Sequence, residues 1–333
     1  MTPPSNQKQS DLVGYLGVFF LGDEPSVHFD LSDGNSALSY TPLNGGSPAL
    51  KPTLGTGGVR DPSIIKGGGG EEGCKWYIIG TDLDISKFNH DWDAASRCGS
   101  RSILIWESQD LITWESERLI QIEDATAGMV WAPDALWDEV EQKYLVHWSS
   151  HFFAQDDPLH KGNHSNSTIR YAYTTDFVSF SEPRDFIQTC SISVIDLSLL
   201  HLGDNAYARF LKCETTSNSV ITSYVYMEKS EEGLFGEWNR PDGPDAYICG
   251  NSEGPYAWWD NNDPRKAYLL LDDIGLDEPQ YVPFEATDFD SQKSWKRSDA
   301  SKFPPGRRHG SVIGVCSDRF EALKVHYGLA TKG

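Results

Sequence analysis

A chain of 333 residues, 38% hydrophobic and 23% charged, is long enough to bury a sizeable core and too apolar to stay disordered. Its 49 acidic residues outnumber 28 basic ones, for a net charge of −21. That excludes nucleic acid and anionic membrane as partners, since both reward clustered Lys and Arg, and no apolar run reaches the roughly 18 residues of a membrane span.

The first stretch, "MTPPSNQKQSDLVGYLGVFF", has an apolar patch but neither a charged leader region nor a cleavage site, so no signal peptide is expected. Residues 1–10 read as a flexible tail. "YLGVFFLG" and "PSVHFDLSDGNSALSYTPL" then read as a pair of strands and a turn. From "VRDPSII" onward the chain repeats itself. One unit runs "DPSII", "KWYIIGTDL", "SRSILIWESQDLITWES"; the next runs "APDALW", "KYLVHWSS", "STIRYAYTTDFVSFSEP". A third starts at "VIDLSLLHLGDNAYARFLK", a fourth at "EGPYAWWDNNDPRKAYLLLDD", and a fifth, "RHGSVIGVC", has too little chain behind it to finish. All of these segments are short, β-branched and aromatic, separated by Gly, Asp, Asn and Pro. The prediction is an all-β, five-bladed propeller forming one domain over residues 1–333. Its N-terminal strands complete the last blade, which closes the ring and removes two free sheet edges. "IKGGGGEEG" and "QDDPLHKGNHSNS" become loops between strands.

The six cysteines form no CxxC pair, which argues against a zinc site and leaves buried thiols and disulfides equally open. "NHS" at Asn163 and "NST" at Asn166 are glycosylation acceptors only in a secreted chain.

Asp61, Asp134, Asp196, Glu253 and His309 each stand at the start of an innermost strand in this reading. Innermost strands line a propeller's axis, so these residues should converge at one mouth of the channel. Bringing several carboxylates together is costly without a use for them.

In order and spacing, "VRDPSI", "VWAPDAL", "SEGPY" and "RRHG" resemble the signature segments of glycoside hydrolase family 43, over nearly the whole chain. The resemblance implies an inverting glycosidase in which Asp61 is the general base, Asp134 tunes the acid's pKa and Glu253 is the general acid. It also implies a water-coordinated Ca²⁺ on the axis near His309. Such enzymes set two carboxyls about 6.5–9.5 Å apart, leaving room for the attacking water. The N-terminal extension departs from the commoner members and leaves the substrate open. An exo-acting α-L-arabinofuranosidase on plant cell-wall arabinan or arabinoxylan is expected, a β-xylosidase or galactofuranose- or galactan-cleaving enzyme being the alternatives. A carbohydrate-binding propeller without turnover is the rival from outside enzymology. A monomer and an extracellular location are expected, with a cytoplasmic one the alternative.

Around the expected mouth, Arg60 and Arg308 are candidates for sugar hydroxyls or for structural ion pairs. Trp131, and Trp258 or Trp259, are candidates for stacking on a sugar or for blade packing. Asp196 either binds a hydroxyl or lines the axis. The "NHDWD" loop, with His90, Asp91 and Trp92, is a candidate border of the pocket.

Overall fold

The computed structural model describes residues 11–189, 192–217 and 220–329; the predicted N-terminal tail and Cys190 lie outside them. Three strands come first: β1 (Leu12–Leu21), β2 (Glu24–Asp33) and β3 (Ser36–Pro42). Blade I is β4 (Val59–Lys66), β5 (Trp76–Asp82), β6 (Ser102–Ser108) and β7 (Arg118–Gln121). Blade II is β8 (Trp131–Asp138), β9 (Lys143–Ser150), β10 (Thr168–Thr174) and β11 (Arg184–Ile187). Blade III is β12 (Ser193–Gly203), β13 (Ala206–Ser217), β14 (Val220–Ser230) and β15 (Cys249–Gly250). Blade IV is β16 (Ser252–Trp259), β17 (Ala267–Asp273), β18 (Gln280–Ala286) and β19 (Lys296–Arg297). The last strand, β20 (Arg307–Cys316), pairs with β1 to head blade V, a sheet ordered β20-β1-β2-β3. Five antiparallel four-stranded sheets thus form a five-bladed β-propeller, closed by the N-terminal strands as the repeat count predicts.

The core lies between blades, because each sheet buries both faces. Ile65, Tyr77, Val146 and Trp148 join blades I and II, while Leu16, Phe29, Ile78 and Trp106 join blade V to blade I. Tyr15, Phe19, Trp258 and Tyr281 join blades IV and V. The "SQDL" and "TTDF" turns of the first two units share a physical cause. Asp110 accepts from the backbone N–H of Ile112 and Thr113 at 2.8 and 2.7 Å, and Ser108 Oγ accepts from Leu111. Asp176 and Thr174 repeat the arrangement with Val178, Ser179 and Phe177 in blade II. The side chains satisfy turn N–H groups that the ladder cannot reach.

Two helices were not predicted. α1 (Trp92–Arg97) is a short turn capped by Asp91, and α2 (Ser317–His326) packs Phe320 and Leu323 onto β1. Gly14 makes room for α2: a Cβ there would lie 2.2 Å from the Phe320 ring. Both helices are too brief for a 3.6-residue period to stand out. Among the described residues Cys74, Cys98, Cys213, Cys249 and Cys316 are all free.

Ring closure carries a buried ion pair. Arg307 of β20 donates to both oxygens of Asp30 on β2, at 2.6 and 2.9 Å, and the two residues are 6% and 0% exposed. Replacing Arg307 by Met would strand a buried carboxylate in the closing blade. We expect a loss of about 3–5 kcal/mol in urea unfolding; a loss under about 1 kcal/mol, the scale of an exposed pair, would show that the pair does not secure closure.

Candidate active site

All five innermost strands carry a β-bulge at the same tier. The ladders slip between Arg60 and Ser63, between Trp131 and Asp134, between Ile195 and Ser198, and between Glu253 and Tyr256. In β20 the slip falls opposite Val18 and Phe20, between Arg308 and Ser311. In the first four strands the first bulged residue is left-handed: Asp61 at φ 50°, Ala132 at 48°, Asp196 at 55° and Gly254 at 57°. Bulges re-aim side chains, and here they turn one ring of side chains toward the mouth.

The bulges are laced to one another. Thr81 Oγ1 donates to Asp61 Oδ2 at 2.8 Å and accepts from Ala132 N–H at 2.8 Å. Ser149 Oγ accepts from Asp196 N–H, and Asp196 Oδ2 accepts from Gly254 N–H at 3.1 Å. The Tyr281 hydroxyl accepts from Gly310 N–H at 2.7 Å and donates to Gly254 C=O at 2.8 Å. Gly254 has to be glycine: a Cβ would lie 2.7 Å from the His309 ring.

The mouth is a cavity of about 500 Å³. It is lined by Asp61, Asp196, Glu253, Arg60, Arg308, His309 and Trp131 from the predicted set, together with Trp92 from the "NHDWD" loop. His309 Nδ1 is 3.4 Å from Asp61 Oδ1. The Arg60 guanidinium, 9% exposed, sits 4.3 Å from the Phe20 ring centre and 5.1 Å from that of Trp92. Trp92 meets Trp131 edge-on at 6.2 Å. Such a corner offers aromatic surface beside hydrogen-bond donors, the mixture a sugar ring requires.

Asp134, Trp258 and Trp259 lie elsewhere. Asp134 falls after its bulge, so its counterpart in blade I is Ser63, and the residue matching Asp61 is Ala132. Its carboxyl accepts from Ser63 Oγ and from Ala135 N–H, and lines a separate cavity of about 580 Å³ rather than the mouth. Burial pushes its pKa up to about 6. Trp258 is the second. It is five residues beyond Glu253, about 16 Å along a strand, and is 6% exposed beside Tyr268 and Tyr256 in the packing between blades IV and V. Trp259 donates to His201 C=O, also as blade packing.

Glu253 differs from expectation in its electrostatics. Lys212 Nζ lies 2.8 Å from Oε2, and Arg308 Nη2 lies 3.1 Å from Oε1. Burial pushes the Glu253 pKa up, but Lys212 and Arg308 outweigh it and hold the carboxyl below its ordinary range. Arg308 is shared with Asp272, which burial raises to about 6. Asp196 is raised to about 6 as well: burial and the nearby Glu253 and Asp61 charges push it up, against His309 and Lys212. Lys212, Glu214, His151 and His164, the last two stacked at 3.9 Å, also line the mouth. No motif marked them, because they project from second strands and loops.

A Ca²⁺ near His309 would have to draw its ligands chiefly from water. Ca²⁺ takes about six to eight oxygen ligands, whereas His309 offers ring nitrogens and turns Nδ1 toward a single carboxylate. Among the described residues no three His, Cys, Asp or Glu side chains group to hold a metal ion. No step below passes through one.

An α-L-arabinofuranosidase from Bifidobacterium longum subsp. longum is 32% identical to the chain over 236 residues. The match takes in 66% of this chain but 22% of that relative, so the chain spans about a fifth of its length. Among solved structures, an α-L-arabinanase of Penicillium chrysogenum complexed with arabinobiose superposes with a TM-score of 0.50 at 14% identity, covering 89% of this chain and 83% of its own. An α-L-arabinofuranosidase from Fusarium graminearum, in complex with an iminosugar inhibitor, gives 0.51 at 15% identity, covering 91% and 84%. At those identities the likeness is one of fold. Residues 10–321 match the family described as "Probable glycosyl hydrolase domain", related to family 43. With almost the whole propeller inside that match, the chain belongs to the family 43-related glycosyl hydrolases.

Proposed function

We propose that the chain is an inverting exo-glycosidase releasing a terminal pentofuranose, α-L-arabinofuranose, from arabinan or arabinoxylan side chains. The observation that carries this reading is the meeting of Asp61, Asp196 and Glu253 in one 500 Å³ cavity beside Arg60 and Trp92. The name of the Bifidobacterium relative supports the choice of sugar.

Asp61 is the general base. Thr81 donates to Oδ2 and fixes the carboxylate's rotation, while Oδ1 faces His309. A water held by Asp61 attacks the anomeric carbon on one face of the sugar. Glu253, on β16, protonates the departing oxygen on the other. Asp196 takes the tuning role that the resemblance gave to Asp134. Its negative charge opposes Lys212 and Arg308 at Glu253, which raises the acid's affinity for a proton.

The test is an assay of the wild type on 4-nitrophenyl α-L-arabinofuranoside, β-D-xylopyranoside and β-D-galactofuranoside, with ¹H NMR on the first product formed. Release of arabinose first seen as the β-anomer is the expected result. Arabinose first seen as the α-anomer overturns inversion, and cleavage of another glycoside overturns the sugar. Failure on all three with retained binding to arabinan points to a binding module.

A further inference from the structure

Lys212 stands on β13 opposite Ile195, the residue just before the blade III bulge. That register delivers its ammonium into the mouth from the second strand, and its side chain is 7% exposed. Nζ lies 2.8 Å from Glu253 Oε2 and 2.8 Å from Glu214 Oε1. Glu214, 35% exposed, is the outer member of the trio. Burying an ammonium opposes its charge, but Glu253, Asp196 and Glu214 more than compensate, so Lys212 stays protonated.

We propose that Lys212 is a positioning residue that sets how readily Glu253 takes up its proton, and that Glu214 offsets it by sharing the same ammonium. The proposal rests on the reading of Glu253 as the acid. A cation this close stabilises the ionised carboxylate and therefore withholds the proton the reaction needs. A second carboxylate on the same cation neutralises part of that field. The other charged groups around Glu253 are Arg308 and His309 from β20, Asp196 from β12, Asp272 from β17 and Arg60 from β4. None of those side chains is replaced by substitutions on β13; Lys212 also acts on Asp196, so its removal raises the proton affinity of Glu253 and Asp196 together, in one direction.

The measurement is the pH profile of kcat/KM on 4-nitrophenyl α-L-arabinofuranoside for the wild type, Lys212→Met, Lys212→Arg and Glu214→Gln. Activity requires protonated Glu253, so the alkaline limb reports that proton in the free enzyme. Lys212→Met should move this limb to higher pH by about 1–3 units. Glu214→Gln should move it to lower pH, because Glu214 then no longer offsets the Lys212 charge, and Lys212→Arg should return it toward the wild-type position. If the Met variant does not fold, the partly exposed Glu214→Gln and the charge-keeping Arg variant still carry the test. Limbs that do not move, or that move the same way in the Met and Gln variants, overturn the proposal. Glu253→Gln separates the two levels. An inactive Gln variant with unmoved limbs removes this inference alone, whereas a fully active one removes the acid reading and this inference with it.

Discussion

Glu253→Gln should lower kcat/KM on an arabino-oligosaccharide by about 10²–10⁴-fold, the usual contribution of a general acid. The loss should be much smaller on an aryl arabinofuranoside with an activated leaving group, which departs with little help from a proton. That contrast is the informative quantity. Glutamine keeps the shape of the side chain and its acceptor oxygen toward Lys212 or Arg308, but it has no proton to give. It also leaves two cations without their shared counter-charge, so each assay belongs beside a thermal melt. Equal losses on both substrates, in a folded variant, would mean that Glu253 acts through its charge and that another group is the acid.

The second large effect separates two aspartates. Asp196→Asn should reduce kcat by about 100-fold with little change in KM. Without that negative charge Lys212 and Arg308 act on Glu253 opposed only by Glu214 and Asp272, so the acid's pKa falls further and its protonated fraction drops with it. Asp134→Asn should stay within a few-fold of the wild type. Its carboxyl touches Ser63 and the other cavity, and an amide oxygen can still accept from the Ser63 hydroxyl. Stability should move the other way. Because burial raises Asp134 to about 6, its ionisation is less favourable in the folded chain than in the unfolded one. Stability is therefore lost as pH rises from about 4 through 6 and stays lost above that. The Asn variant should be the more stable at neutral pH, measured by urea unfolding at pH 5 and pH 7.5. An inactive Asp134→Asn beside an active Asp196→Asn would restore the roles implied by the family segments.

Much of the architecture was legible in the chain because it is local and repeated. Short β-branched strands, Asx-type turns at Asp110 and Asp176, and an unfinished fifth unit are all consequences of neighbouring residues. The closing of the ring followed from counting strands. Two of the three proposed catalytic carboxylates, Asp61 and Glu253, were likewise identified from their segments and do share a cavity.

The register within each unit was harder. Aligning acid with acid put Asp134 opposite Asp61, whereas the structure aligns proline with proline: Pro62, Pro133 and Pro255 each follow the first bulged residue. That signal was present in "RDP", "APD" and "EGP". Read so, Ala132 falls in Asp61's place and Asp134 drops below the mouth. A one-residue bulge changes which side chains face the mouth without changing the pattern of strands, so hydrophobic periodicity does not register it.

What the sequence determined by itself was the set of blades, their closure and the segments that bring Asp61 and Glu253 to one cavity, all written in short stretches. What only the tertiary structure decided was the company Glu253 keeps. Lys212 comes from the second strand of blade III, Arg308 from blade V and Asp196 from the inner strand of blade III, each 41 or more residues away along a chain that folds them to within a few ångströms. A carboxyl's proton affinity is the sum of such through-space fields and of its burial, and neither can be read along the chain.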